Sequence, residues 1–123
     1  CYVIPLLGTG LWGPIWGNIA LDSDLNTVIG VTFDHKGETP GLGAEITTDH
    51  FKNQFVGKKI FNDKGQFTSI EVVKGGVRKL PKDMQIHGVD AISGGTITSK
   101  GVDAMLSNVL ESYLPYIEKQ RKQ

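Results

Sequence analysis

A single cysteine, Cys1, cannot close a disulfide within the chain, so no disulfide framework is available and the redox compartment stays open. No run of about 18 apolar residues occurs, so these 123 residues hold no membrane-spanning helix by hydropathy. Net charge is also missing: 13 basic residues offset 13 acidic ones, and no basic stripe is interleaved with aromatics, which argues against nucleic-acid binding. The one basic run, Lys119-Gln120-Arg121-Lys122, reads as a solvated helix end where cations suit the dipole. His35, His50 and His87 are scattered without metal-ligand spacing, so each reads as a surface or polar-turn residue and no metal site is expected. A Gly-x-Ser-x-Gly elbow and a Walker phosphate loop are both absent. The chain opens on Cys1 rather than Met and reads as a trimmed or processed product. Its length suits a single domain, 1–123, with a real core.

Glycine is plentiful, and two glycine-rich stretches stand out. The first is Asp90 followed by Ser93-Gly94-Gly95-Thr96-Ile97-Thr98-Ser99-Lys100. Immediately after it, Val102, Met105, Leu106, Val109, Leu110, Tyr113, Leu114 and Ile117 recur at the spacing of one buried helix face. Thr98 or Ser99 reads as the N-cap of that helix. The loop therefore delivers hydroxyls and unpaired backbone N–H groups to the positive end of a helix dipole, a natural place for a phosphate. Asp90 reads as a carboxylate that orients loop hydroxyls or amides. Thr96 has no base beside it in sequence, which suits a residue modified by another enzyme better than a self-activating nucleophile.

The second stretch is Glu38-Thr39-Pro40-Gly41-Leu42-Gly43. Pro40 fixes one backbone angle, Gly41 and Gly43 allow positive ones, and Leu42 is an apolar side chain stranded on a turn. Glu38 is a single loop carboxylate. Gly8-Thr-Gly10-Leu-Trp-Gly13 formally fits a dinucleotide fingerprint, but Pro14 and a strand-like stretch follow where a helix is required. Trp12 and Trp16 read by default as core anchors, and otherwise as an aromatic edge to a site.

The remaining pattern predicts strands over Ile15–Asp22 and Asn26–His35, turning at Asp22-Ser23-Asp24. A short helix runs from Thr47 or Thr48 to about Phe55 and ends at Gly57. A hairpin joins Lys58–Asn62 to Gln66–Val73 around Asp63-Lys64-Gly65. Gly75-Gly76 breaks the chain, 77–84 is a polar loop, and Ile86–Ala91 is a strand. The expected fold is α+β: a twisted antiparallel, half-barrel-like sheet with the C-terminal helix packed on it.

Asp90-x-x-Ser93-Gly94-Gly95-Thr96 resembles the flavinylation motif of the FMN-binding domain family, with Gly95 where that family usually has Ala. Glu38 through Gly43 resembles the family's second signature. The resemblance implies FMN joined through its phosphate to the Thr96 hydroxyl by a flavin transferase. It also implies Ser93, Gly94, Gly95, Asp90 and Thr98 around the phosphate. Glu38, Thr39, Gly41, Leu42 and Gly43 would lie at the ring, with Trp12 nearby and no residue catalytic in its own right. The blocks Gly10 to Gly13, Val56 to Lys59, Val72 to Gly76 and His87 to Val102 are similar to the branch of the family that serves a Na⁺-translocating NADH:quinone oxidoreductase. That implies an electron-carrier subunit partnered by the other subunits of a membrane redox complex and facing the periplasm of the inner membrane. An upstream transmembrane anchor would lie outside this chain. The branch in the Rnf electron-transport complex is the alternative, as is a module that holds FMN reversibly.

Overall fold

The computed structural model describes residues 1–121, so Lys122 of the basic run lies outside the described residues. Three antiparallel strands, β1 (Tyr2–Thr9), β2 (Pro14–Leu21) and β3 (Val28–His35), form a sheet in sequence order. After β3 come a 3-10 turn (Gly43–Thr47) and the short helix α1 (Asp49–Asn53). Strands β4 (Glu71–Val73) and β5 (Gly88–Asp90) follow, and the 26-residue helix α2 (Thr96–Arg121) closes the chain. The α+β architecture with a C-terminal helix on an antiparallel sheet is as expected, and no closed barrel forms among the described residues.

β2 and β3 lie within two residues of their expected limits. β1 was not anticipated, since Pro5 and Gly8 are residue types depleted in strands. β1 is an edge strand, the position where a proline costs no ladder bond when its missing N–H faces out. β3 does not alternate strictly between faces. Val28 and Phe33 are both buried although their spacing is odd. The register slips between Ala20 and Leu21, and that irregularity changes which side of β3 faces inward.

α2 buries Val102, Met105, Leu106, Leu110 and Ile117. Val109 and Leu114 are partly buried, and Tyr113 reaches the surface. Two glycines set how closely α2 approaches the sheet. A Cβ on Gly8 would stand 2.7 Å from Met105 Cβ, and one on Gly101 would overlap the Thr9 carbonyl oxygen. Beneath the sheet, Phe33, Phe51 and Phe55 meet with ring centroids 5.3 to 5.6 Å apart. Such pairs add about 0.5–1.5 kcal/mol each beyond their buried area. Thr48 caps α1, accepting from the Phe51 amide at 3.3 Å.

The expected hairpin over 58–73 reduces to one bridge, Phe61 with Phe67, across a tight turn at Gly65. The rest of its second arm, β4, pairs in parallel with β5 through Val72 and Val89. The polar stretch after Gly76 winds into two 3-10 turns, Val77–Lys79 and Lys82–His87. His87 is buried rather than exposed, its Nδ1 lying 2.7 Å from the Lys59 carbonyl oxygen. The helix end is not wholly solvated either, since the Arg121 guanidinium lies 4.2 Å above the Phe61 ring.

Candidate functional site

The first glycine-rich stretch is held at both ends. Gln54 clamps the Asp90 backbone: the Asp90 amide donates to Gln54 Oε1 at 2.8 Å and Gln54 Nε2 donates to the Asp90 carbonyl at 3.5 Å. The Asp90 carboxylate accepts from the Val77 amide at 2.8 Å, so it orients the neighbouring 3-10 turn rather than the loop's own hydroxyls. Ile92 to Gly95 then forms a turn, the Gly95 amide donating to the Ile92 carbonyl at 3.2 Å. Gly94 takes φ +78° at its third position, which a side-chain-bearing residue rarely adopts.

α2 begins at Thr96, three or four residues before the start that a Thr98 or Ser99 cap implies, and neither residue is its cap. Both are buried inside the first turn. Ser99 Oγ accepts from the Ile92 amide at 3.1 Å, and the Thr98 hydroxyl donates to Glu38. The first helical bond runs from the Ser99 amide to the Gly95 carbonyl at 2.8 Å. The amides of Thr96, Ile97 and Thr98 precede it, as helix-start amides do, and find no acceptor among the described residues. The Thr96 side chain is half-buried and its hydroxyl makes no hydrogen bond among the described residues. Ser93 is exposed.

The second stretch folds as a turn of the same kind. The Leu42 amide donates to the Thr39 carbonyl at 3.0 Å, with Pro40 at the second position and Gly41 at φ +78° at the third. The two turns face each other, for a Cβ on Gly94 would stand 2.8 Å from Leu42 Cδ2. A Cβ on Gly95 would lie 3.2 Å from the Leu42 carbonyl oxygen, so glycine there suits the close approach.

Glu38 joins all three parts. It is 3% exposed, and its carboxylate accepts from the amides of Leu11 and Trp12, each at 2.8 Å, and from the Thr98 hydroxyl. The loop between β1 and β2, the turn after β3 and the start of α2 therefore meet on one side chain. Gly10 and Gly43 leave room for it, since a Cβ on Gly10 would overlap Glu38 Oε1 and one on Gly43 would overlap Thr98 Oγ1. Burial raises the Glu38 pKa, but the Thr98 hydroxyl, the Trp12 and Leu11 amides and the nearby His35 together hold it below the ordinary 4.5. A carboxylate whose folded pKa is depressed stabilises the fold above its unfolded pKa. That contribution is lost as pH falls through the folded value. The urea midpoint should therefore be flat with respect to Glu38 above about pH 5 and fall below about pH 4.5, more steeply than in Glu38→Gln. Equal acid slopes for the two chains would reject the effect.

The joined loops enclose a cleft of about 380 Å³ lined by Leu11, Trp12, Glu38, Thr39, Leu42, Gly43, Gly94, Gly95, Thr96, Ile97 and Thr98. Thus Thr96, Gly94, Gly95, Thr98, Glu38, Thr39, Leu42, Gly43 and Trp12 come together, whereas Gly41 only shapes the turn. Asp90 and Ser93 face the other side. There, a second cleft of about 440 Å³ is lined by Lys74, Gly75, Gly76 and Lys79 and again reaches Thr96. Trp12 is 66% exposed, not a core anchor, and Trp16 also reaches the surface. Leu11 and Ile97 were missed by sequence reasoning, since an aliphatic residue beside a loop gives no signal of its own. The first cleft offers exposed apolar side chains from Leu11, Trp12, Leu42 and Ile97 to a flat ring. A free hydroxyl, free amides and two lysines beyond them suit an anionic tail.

The model of the FMN-binding domain family matches residues 10–111. The NqrC protein of Vibrio anguillarum, a component of its Na⁺-translocating NADH-quinone reductase, is 47% identical over 100 residues, covering 81% of this chain and 37% of that one. Its Yersinia pestis counterpart is 39% identical over 122 residues, covering 98% and 44%. The crystal structure of the Parabacteroides distasonis counterpart superposes with a TM-score of 0.86 at 54% identity, over 94% of this chain and 56% of that chain. That of Shewanella oneidensis NqrC gives 0.82 at 38% identity, over 98% and 54%. The chain thus spans roughly two fifths of the curated relatives it matches.

Proposed function

We propose, because the chain belongs to the FMN-binding domain family, that it is the flavin domain of an NqrC protein in a Na⁺-translocating NADH-quinone reductase, relaying electrons between redox centres of that membrane complex. The observation that carries this reading is the cleft joined by Glu38, with a free Thr96 hydroxyl at its mouth. The likeness to the NqrC sequences and structures supports this complex over the Rnf alternative. Bound FMN would supply the one- and two-electron chemistry. The chain's own residues do the holding. Leu11, Trp12, Leu42 and Ile97 would hold the ring and limit the access of water to it. The free amides at the start of α2 and the ammonium groups of Lys74 and Lys79 offset the phosphate charge.

A flavin transferase, using an activated flavin phosphate donor, would let the Thr96 oxygen displace the donor's leaving group at phosphorus, with the hydroxyl proton passing to that leaving group, so that the chain's mass rises by FMN minus water. A tethered carrier cannot be diluted away from its partners. The partners are the other subunits of the complex, and the domain faces the periplasm, anchored by a membrane helix outside this chain. No helix of the described residues is long and apolar enough to cross a membrane. Co-expression with a flavin transferase, denaturation and intact-mass measurement test this. A gain of FMN minus water, mapped to the peptide holding Thr96, is expected. An unchanged mass beside a modified control substrate would leave a reversible FMN module.

A further inference from the structure

Glu38 is the one buried carboxylate among the described residues, and it lines the cleft itself. No lysine or arginine pairs with it among the described residues. Its partners are two amides and a hydroxyl, neutral donors that fix the carboxylate in place without cancelling its charge. His35 sits beside it in sequence, its Nδ1 accepting from the Glu38 amide at 3.1 Å. Room for this anion is kept by Gly10 and Gly43.

We infer that Glu38 is a positioning residue with an electronic role: a fixed negative charge on the cleft wall that makes the bound flavin harder to reduce. This rests on the reading of the cleft as an FMN site. Adding two electrons and one proton to a neutral flavin ring leaves it with one more negative charge. A carboxylate beside it opposes that charge. At a separation of ~10 Å and an effective dielectric of ~20, the opposition is on the order of tenfold in the ratio of reduced to oxidised flavin.

The test compares the transferase-loaded wild-type chain with Glu38→Gln and Thr98→Val. FMN content is read by absorbance, folding by urea titration, and the reduced-to-oxidised ratio by spectroelectrochemistry at fixed potential. Glu38→Gln should raise the ratio about tenfold, equivalent to ~30 mV for a two-electron couple. Thr98→Val keeps the charge and removes one donor, so the ratio should fall about twofold. Loosening of the site would move both variants the same way, and that result, or a Glu38→Gln ratio within twofold of wild type, overturns the inference. Should Glu38→Gln not fold or load, Thr98→Val decides alone: a fall supports the role, while a rise or no change overturns it. A wild-type chain that takes no FMN fails before any variant is compared, and it removes the functional reading along with this one.

Discussion

The Thr96→Ala chain, made in cells that contain the flavin transferase, should carry no covalent flavin and yet keep its stability within about 0.5 kcal/mol of wild type. Both halves follow from the hydrogen bonds. The Thr96 hydroxyl has no partner among the described residues, so its removal costs the fold little. The neighbouring hydroxyls are committed: Thr98 to Glu38, and Ser99 to the Ile92 amide at 3.1 Å. Among the described residues of this stretch only the Ser93 hydroxyl is also free, and it stands on the exposed turn facing Lys74 and Lys79 rather than in the apolar cleft. Ser93→Ala should therefore leave the mass gain unchanged. Thr96→Ser keeps the oxygen and should retain part of it. Intact mass after denaturation, with a melting curve on each sample, decides the matter. A full FMN adduct on Thr96→Ala would move the attachment elsewhere.

Gly101→Ala should cost the domain about 2–4 kcal/mol, even though alanine is worth ~1 kcal/mol more than glycine inside a helix. The added Cβ would overlap the Thr9 carbonyl oxygen, with Gly10 Cα 3.4 Å away. A strand backbone in a ladder cannot give way as a flexible side chain can. α2 must then lift from β1, and its first turn carries Thr98 away from Glu38. For a domain of this size the melting temperature should fall by roughly 10–20 °C. Gly30→Ala is the control: it lies in β3 with nothing within 4 Å of its missing Cβ, and it should be neutral or slightly stabilising. A Gly101→Ala chain that melts within about 2 °C of wild type would mean that the helix does not sit this close to the strand.

α2 and β2 were legible because each repeats a period over eight or more residues, and β3 was legible from the turn before it and its β-branched residues, although a bulge breaks its alternation. β1 was hidden by Pro5 and Gly8, whose strand positions make sense only once it is known to be an edge. β4 and β5 lie inside the expected strands Gln66–Val73 and Ile86–Ala91, but at three residues each they carry too little pattern to show that they pair with each other in parallel. At the site, the two turns could be read from their glycines and proline, and the motif resemblance gathered most of the lining. The role of Glu38 could not be read. Its partners lie 26, 27 and 60 residues away, and nothing local distinguishes it from a solvated loop carboxylate.

Those same separations bear on how the chain acquires its shape. Contacts between distant residues bear the cost of closing long loops before they repay it, and so they tend to form late. The cleft needs the first hairpin, the turn after β3 and the final helix together, so the last segment of the chain must be in place before it exists. During synthesis, the Ser93–Thr96 segment is therefore expected to take its turn geometry only once α2 has emerged and docked. An enzyme that recognises that geometry would thereby act on finished domains and pass over nascent or misfolded ones.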